Sequence, residues 1–479
     1  KKELLGCCLI VISTIFASNL DTYLPFENNS NEYYFLEYQL IKNKSFDDIF
    51  IFKQPYTYNE INKISSENYF NFHQRIKLNS ELSFRINPGF SSNGEQVSLY
   101  PYLDISSIIK VDNTTLKIGV DLDKRLVNDD SFHGDENEIL TGYVREAYLS
   151  SKFNNLEFFG GRLSRNYGIL NEYSLIFSNN SFPFDHYGFS LSGNRTNYSF
   201  YVSRLNDYEN SIDSEGVLIP LDSTMTTRRF FSFQHLDLKL SKRIQLGLSQ
   251  SITYGGPNQT FEGLYINPIN FYYSDQRNSR VQMNGFWQLL FSYKITDKSI
   301  LYLDFLVDDF IINNDKPNER DENPDRLGVI LKYSFIGFIL NQNLNTLTYT
   351  KISNDTYTTF RNFENYFYQL KGIGYPKNSY ESIKLTSTYF GKLPGIYNFE
   401  IKFNREGDSN LFSVFQANKN SFPLAPVLYS MNLSGAISHS VHERIRFFYQ
   451  FLYRLESYQT NFIENNNIIN HNIRVIYEL

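Results

Sequence analysis

Hydrophobic and polar positions exchange places every second residue through most of the chain, and helical spacing of three to four is scarce. In 397–404 the apolar series Tyr397, Phe399, Ile401 and Phe403 interleaves with Asn398, Glu400, Lys402 and Asn404. Leu116, Ile118, Val120 and Leu122 alternate with Lys117, Gly119, Asp121 and Asp123. Leu301, Leu303, Phe305 and Val307 share a face opposite Tyr302, Asp304 and Asp308. Near the end, Ile445, Phe447, Tyr449, Phe451 and Tyr453 share a face, with Arg444, Arg446, Gln450 and Arg454 mostly opposite. Such runs predict strands of roughly 8–12 residues, long enough to cross a bilayer when tilted.

The connections alternate in length. Short turns are predicted near 111–114, 153–155, 193–196, 241–243, 295–299, 335–337, 390–395 and 438–443. Between them lie long polar segments at 124–140, 164–185, 206–229, 255–284, 309–325, 350–380, 405–426 and 456–470. Outer-membrane barrels are built this way, with short periplasmic turns and long outer loops. Counting from Glu81 gives about 18 strands, an even number that puts both chain ends in the periplasm. The last strand sets Ile473, Val475, Tyr477 and Leu479 against Asn472, Arg474 and Glu478. Ending the chain in such a strand allows closure on the first, because an unpaired edge in lipid is costly. The fold class is therefore all-β, a transmembrane antiparallel barrel over 69–479. Residues 18–68 are expected to form a short periplasmic region with one helix near 59–66, after Gln54-Pro55-Tyr56-Thr57. Residues 69–78 are strand-like and surplus to the even count, a lead-in or an extension of the first strand.

Composition sharpens this picture. The hydrophobic fraction is 41% and the mean hydropathy −0.38, with no apolar run long enough for a membrane helix. An aromatic content of 17% argues against disorder. A β-sandwich or propeller array is the competing all-β class. The sequence has no repeat at propeller period, and its 37 Tyr and 43 Phe suit interfacial girdles better than a sandwich core. Net charge is −6 and no basic block is dense enough for a nucleic-acid footprint. The two cysteines, Cys7 and Cys8, fall in 1–17, which has the layout of a cleaved signal peptide ending at Ile15-Phe16-Ala17. Leu4-Leu5-Gly6-Cys7 also resembles a lipoprotein box, though little apolar sequence precedes it. Cleavage after Ala17 leaves no cysteine for disulfides, thiolate metal sites or nucleophiles.

Candidate chemistry is sparse, and no cofactor is expected. His439 and His442 have H-x-x-H spacing, but in a predicted tight turn without further ligands. Ser438-His439 lies on the short-turn side, and His235 has no evident sequence partner, so an enzyme is not expected. Asp308-Asp309 and the acidic segment 315–325 could ligate Ca²⁺, but the spacing matches no EF-hand loop and the segment reads as a solvated outer loop. Arg85, Arg145, Arg162, Arg165, Arg204, Lys294, Lys332, Arg444 and Arg446, with Asp121, Glu146, Glu157, Asp304 and Glu400, are expected on the lumen side, lining a pore or locking a filled interior. Tyr and Asn in the long segments, such as Asn270, Tyr272, Asn365 and Tyr366, offer rings and amides of the kind that bind sugars.

A more specific pattern runs from Gly160-Gly161-Arg162-Leu163-Ser164-Arg165-Asn166-Tyr167-Gly168 into Ser174-Leu175-Ile176-Phe177-Ser178-Asn179-Asn180-Ser181-Phe182-Pro183-Phe184-Asp185. With Gln54-Pro55-Tyr56-Thr57, Arg204-Leu205, Ile266-Asn267-Pro268-Ile269 and Asp304-Phe305-Leu306-Val307-Asp308-Asp309-Phe310, it resembles the capsule assembly Wzi family, in order along most of the chain. Tyr167 stands where many members carry Trp, and Ile169 where Pro is common. The resemblance implies an outer-membrane barrel with a small helical periplasmic part that holds capsular or exopolysaccharide at the cell surface. It also has a branch associated with gliding motility. Residues expected to line the lumen or touch glycan are Arg162, Arg165, Tyr167, Gly168, Ser178, Asn179, Asn180, Pro183, Arg204, Asn267, Pro268, Asp304 and Asp308. The expected partners are outer-membrane lipid and surface polysaccharide. The alternative is a motility or adhesion component bound to motility or secretion-system outer-membrane proteins, and the third reading is a general porin.

Overall fold

The computed structural model describes residues 22–478 apart from 27, 29, 43–44, 65–81, 87–88, 93–96, 101, 133, 135–140, 209–226, 273–282, 310–324, 338–341, 391–394, 413, 416–420, 443–444 and 459–460. The signal-like segment, the predicted strand 69–78 and the acidic segment 315–324 lie outside the described residues.

Twenty strand segments close into one antiparallel barrel. Two pairs of segments are halves of single strands, which leaves eighteen. Leu82–Ile86 and Gly89–Ser92 form β1, and both pair with the last strand in one register, Tyr477 facing Ile86 and Arg474 facing Gly89. Val97–Tyr100 and Tyr102–Val111 likewise form β2. The breaks contain Pro88 and Pro101, which have no N–H to give to a ladder. The remaining strands are β3 (Thr114–Asp123), β4 (Gly142–Phe153), β5 (Leu156–Arg162), β6 (Asp185–Ser192), β7 (Thr196–Arg204), β8 (Thr227–Ser241) and β9 (Ile244–Pro257). They continue as β10 (Asn284–Thr296), β11 (Ser299–Asp309), β12 (Arg326–Ile336), β13 (Asn343–Ile352) and β14 (Tyr380–Phe390). The last four are β15 (Gly395–Gly407), β16 (Val427–His442), β17 (Ile445–Tyr458) and β18 (Asn461–Glu478). Closure of β18 on β1 is the pairing the terminal alternation predicts.

Alternation fixes the two faces. Leu116, Ile118, Leu248, Leu331, Leu347, Ile383, Leu385, Phe399 and Phe403 are exposed on the outside, where a membrane would meet them. No described helix is long and apolar enough to cross a membrane. Two boundaries differ from expectation. β16 runs on to His442, so His439 lies in a strand rather than a turn. The segment 456–470, expected as a long loop, is mostly strand, because the Asn-rich start of β18 continues its ladder with β17.

Among its described residues the N-terminal region carries two α-helices rather than one. α1 (Asn31–Lys42) begins at Ser30, whose Oγ accepts from Tyr33 N at 3.3 Å. Its residues 33–41 are all buried, so no polar stripe marks it in the sequence. α2 (Tyr58–Ile64) is the expected helix, opened by a capping box in which Thr57 N donates to Glu60 Oε2 at 2.7 Å. Both helices sit inside the barrel at its short-turn end. Phe35 and Tyr38 pack on Phe390, and Gln245 Nε2 donates to Phe46 O and Ile49 O at 2.6 and 3.0 Å.

Candidate functional site

Three segments enter the lumen and are stitched together by the residues that carry the family-like motifs. The first is 22–64, the second is the β5–β6 connection 163–184, and the third is the β13–β14 connection 353–379. Asn166-Tyr167 forms a short ladder with Lys53-Gln54, Gly168 N donates to Phe52 O at 3.0 Å, and Gln54 Nε2 donates to Gly168 O at 3.0 Å. A Cβ on Gly168 would lie 2.8 Å from the Ser174 Cβ, so glycine is needed for this close approach. The second segment then bonds the third. Ser178 Oγ donates to Gly374 O at 2.6 Å, Asn180 Nδ2 to Gly372 O at 2.9 Å, and Tyr357 Oη to Leu175 O at 2.7 Å. One buried apolar cluster runs through all three segments and the inner wall.

Charged side chains fix the segments to the wall. Glu37 of α1 receives Lys332 Nζ at 2.8 Å and Ser334 Oγ at 2.7 Å, both from β12. Glu172 pairs with Lys384 of β14 at 2.8 Å. Asp304 of β11 accepts Leu175 N at 3.2 Å and Gln288 Nε2 at 2.8 Å, and Asp308 accepts Tyr357 N at 2.6 Å. Arg229 of β8 donates to the carbonyls of Phe363, Asn365 and Phe367 at 2.8, 2.7 and 3.0 Å. Within the third segment, burial pushes the Glu364 carboxyl up to about 7 despite Arg361 at 2.6 Å, which pulls it down.

The structure redistributes the expected site residues. Arg165, Tyr167, Gly168 and Ser178 are buried in the lumen filling, and Asp304 is buried on the inner face of β11 against it. Arg165 lies 4.3 Å from the rings of both Phe159 and Tyr201, and its Nε donates to His186 Nε2 at 2.7 Å. Asn179, Asn180, Pro183 and Asp308 are half-buried at its margin. Arg162 and Arg204 do not face the lumen; they point outward at the long-loop rim, paired with Asp185 and Asp207 at 3.0 Å. Asn267 and Pro268 are also outside the barrel. Ser178, Asn180, Asp304 and Asp308 act as a scaffold, because their polar atoms bond backbone groups of the inserted segments. His235, which has no sequence partner, gains two in space: Ser249 Oγ lies 2.8 Å from Nδ1 and Asp237 Oδ1 2.9 Å from Nε2. The order resembles a nucleophilic triad, but Tyr167 and Phe233 cover the imidazole and the Ser249 hydroxyl is held by Gln288 at 2.8 Å.

The filling does not reach the whole wall. Inward positions from β3 to β14 are mostly buried, whereas those on β15 to β18 remain half-exposed. Asn398, Glu400, Lys402 and Asn404 of β15 face this open strip, with Ser430, Asn432 and Ser434 of β16, Gln450, Arg454 and Glu456 of β17, and Asn470 and Asn472 of β18. Arg454 is inside the barrel yet has a side chain 40% exposed, donating to Asn432 Oδ1 at 3.1 Å and pairing with Glu456 at 3.4 Å. Towards the short turns the same wall is buried at Phe390, Ile396 and Ser438. Of this strip, sequence reasoning singled out Glu400 among the lumen charges. The rest was signalled by the polar half of each alternating strand.

A sequence model of the capsule assembly protein Wzi family matches residues 53–328, more than half of the chain. The chain belongs to the Wzi family. The matched span opens at the segment that pairs with Asn166-Tyr167 and ends on β12, so it covers much of the stitched scaffold and stops before the open strip. Among solved structures, the chain resembles Wzi of Escherichia coli, described as a carbohydrate-binding β-barrel involved in group 1 capsule assembly. The TM-score is 0.61 at 12% identity, covering 94% of this chain and 98% of that one. It also resembles OccD3 of Pseudomonas aeruginosa, with a TM-score of 0.46 at 10% identity over 83% and 91% of the two chains. No curated protein matches by sequence. Membership in the Wzi family and the structural likeness agree with the expected barrel.

Proposed function

We propose that this Wzi-family barrel sits in the outer membrane, its short turns and N-terminal helices on the periplasmic side, and binds surface polysaccharide entering from the long-loop end. The observation that carries this reading is the open strip on β15 to β18. Its amides and hydroxyls match the donors and acceptors of sugar hydroxyls, while Lys402 and Arg454 suit carboxylates on acidic sugars. The likeness to a carbohydrate-binding relative supports the same reading. A general porin is disfavoured, because the inserted segments share one buried apolar cluster across the lumen. Porin-level single-channel conductance would restore it.

Gene deletion with measurement of cell-bound and shed polysaccharide tests the proposal. Deletion should move the host's capsule or exopolysaccharide from the cell-bound to the shed fraction, and the wild-type gene should reverse this. Unchanged partition after deletion would defeat the reading.

A further inference from the structure

Residues 258–272, between β9 and β10, fold down over the outside of the barrel. Strand parity establishes this. His235, Ser249 and Gln288 face the lumen filling, so Gln234, Gln250 and Trp287 face away from it. Yet Gln234 Nε2 donates to Asn270 O at 3.2 Å, and Gln250 Nε2 donates to Asn270 O at 2.6 Å. Tyr198, outward on β7, donates to Pro268 O. Tyr265 and Tyr272 join a separate buried cluster with Phe230, Ile252 and Tyr254, and Phe271 stacks on Trp287 at 5.3 Å.

The two glutamines interrupt an apolar row. Along the hydrogen-bonded direction the outward neighbours are Phe158, Phe189, Phe200, Gln234, Gln250, Trp287 and Val307. On β8, Leu236, Leu238 and Leu240 lie between Gln234 and the short turn. A tilted strand crosses the hydrocarbon in roughly 9–11 residues, a span that includes Gln234. Uncovered, the two amides would have one bond between them, from Gln250 Nε2 to Gln234 Oε1 at 3.0 Å, with their other N–H groups in lipid, and the flap's backbone carbonyls supply the missing acceptors. The flap then turns apolar side chains outward: Ile269 is 86% exposed, with Phe261, Leu264, Ile266 and Phe271 exposed beside it.

We infer that this flap is a membrane-contacting element whose exposed apolar residues sit among the acyl chains of the outer leaflet. It restores the apolar band where the strands carry glutamines. The inference rests on the outer-membrane reading of the barrel and is independent of polysaccharide binding.

Trp287 is the single tryptophan of the chain, which makes fluorescence quenching a direct test. In a Trp287→Phe background, Ile269→Trp is placed in full-length protein and reconstituted in phosphatidylcholine vesicles brominated high on the acyl chains. Leu240→Trp, near the short turn on the outward face, reports correct insertion in the same background. The Ile269→Trp emission should be blue-shifted, lose most of its intensity to the brominated chains, and resist aqueous iodide. Quenching by iodide but not by brominated lipid would overturn the inference, placing the flap in water. So would resistance to both with cross-linked dimers, which would make a second copy the occupant.

Discussion

Arg229→Ala should loosen the β13–β14 connection without unfolding the barrel. The Arg229 guanidinium is buried and donates three hydrogen bonds to carbonyls of that connection, while stacking over Phe367 at 4.1 Å. Hydrogen bonds from a charged donor contribute about 1.5–3 kcal/mol each, so the gross loss of three is roughly 4.5–9 kcal/mol. Two effects offset this. Truncation relieves the desolvation of a guanidinium balanced by no ion pair among the described residues, and water can enter the vacated polar space to meet the carbonyls. A net cost of about 3 kcal/mol remains, which corresponds to roughly 100-fold easier opening of the segment. Amide exchange reads this at three places: Tyr366 N bonded to Tyr357 O, Ile373 N to Tyr366 O, and Ser178 N to Ile373 O. Their exchange should accelerate about 100-fold. Arg229→Lys should fall between, because one ammonium cannot reproduce the fork that reaches three carbonyls. Unchanged exchange in a variant whose barrel still migrates as folded, unboiled protein in electrophoresis would refute the clamp.

Glu364 should make the same connection sensitive to pH. Its carboxyl titrates near 7 in the folded protein and near 4.5 unfolded, so the folded form holds more protons between those values. Stability therefore falls as pH rises from about 4.5 to about 7, by up to about 3 kcal/mol, and Glu364→Gln should flatten exchange corrected for its intrinsic pH dependence. Gly168→Ala should cost about 1–3 kcal/mol, read as a lower temperature of heat modification, because its Cβ would crowd Ser174. Lys332→Met should destabilise by about 3–5 kcal/mol by stranding Glu37. Adding Glu37→Leu should recover most of that loss, and a double variant no better than the single would contradict the pairing.

Much of the architecture is legible because a barrel wall has one local rule. The alternation of 397–404 gives the outward Phe399 and Phe403 and the inward Asn398 and Lys402 without any tertiary information. Closure is legible for the same reason, since Ile473 and Tyr477 need a partner strand. The lumen filling is not written in any period. α1 is buried on all sides, so the contrast that identifies an amphipathic helix is missing. The motif around Asn166-Tyr167-Gly168 is specific in sequence, but sequence cannot say whether such residues meet a ligand or one another; here they meet Gln54 and Phe52. The direction of a long connection is equally invisible. Segments 163–184, 353–379 and 258–272 are all rich in Tyr, Phe and Asn. The first two enter the lumen, while the third covers Gln234 and Gln250 outside. What separates them is the pair of outward glutamines on β8 and β9, a feature of neighbouring strands rather than of the loop.

On the function proposed above, the open strip on β15 to β18 binds glycan. Binding of the host's own surface polysaccharide to the purified barrel in lipid nanodiscs tests it most directly, comparing wild type with Asn432→Ala plus Arg454→Ala. These half-exposed side chains contact each other and lie away from the lumen filling, so the variant should fold normally. The wild type should bind saturably and the variant should lose at least about fivefold in affinity, from two or three hydrogen bonds of about 0.5–1.5 kcal/mol each. No binding by the wild type, or equal binding by both, would contradict it.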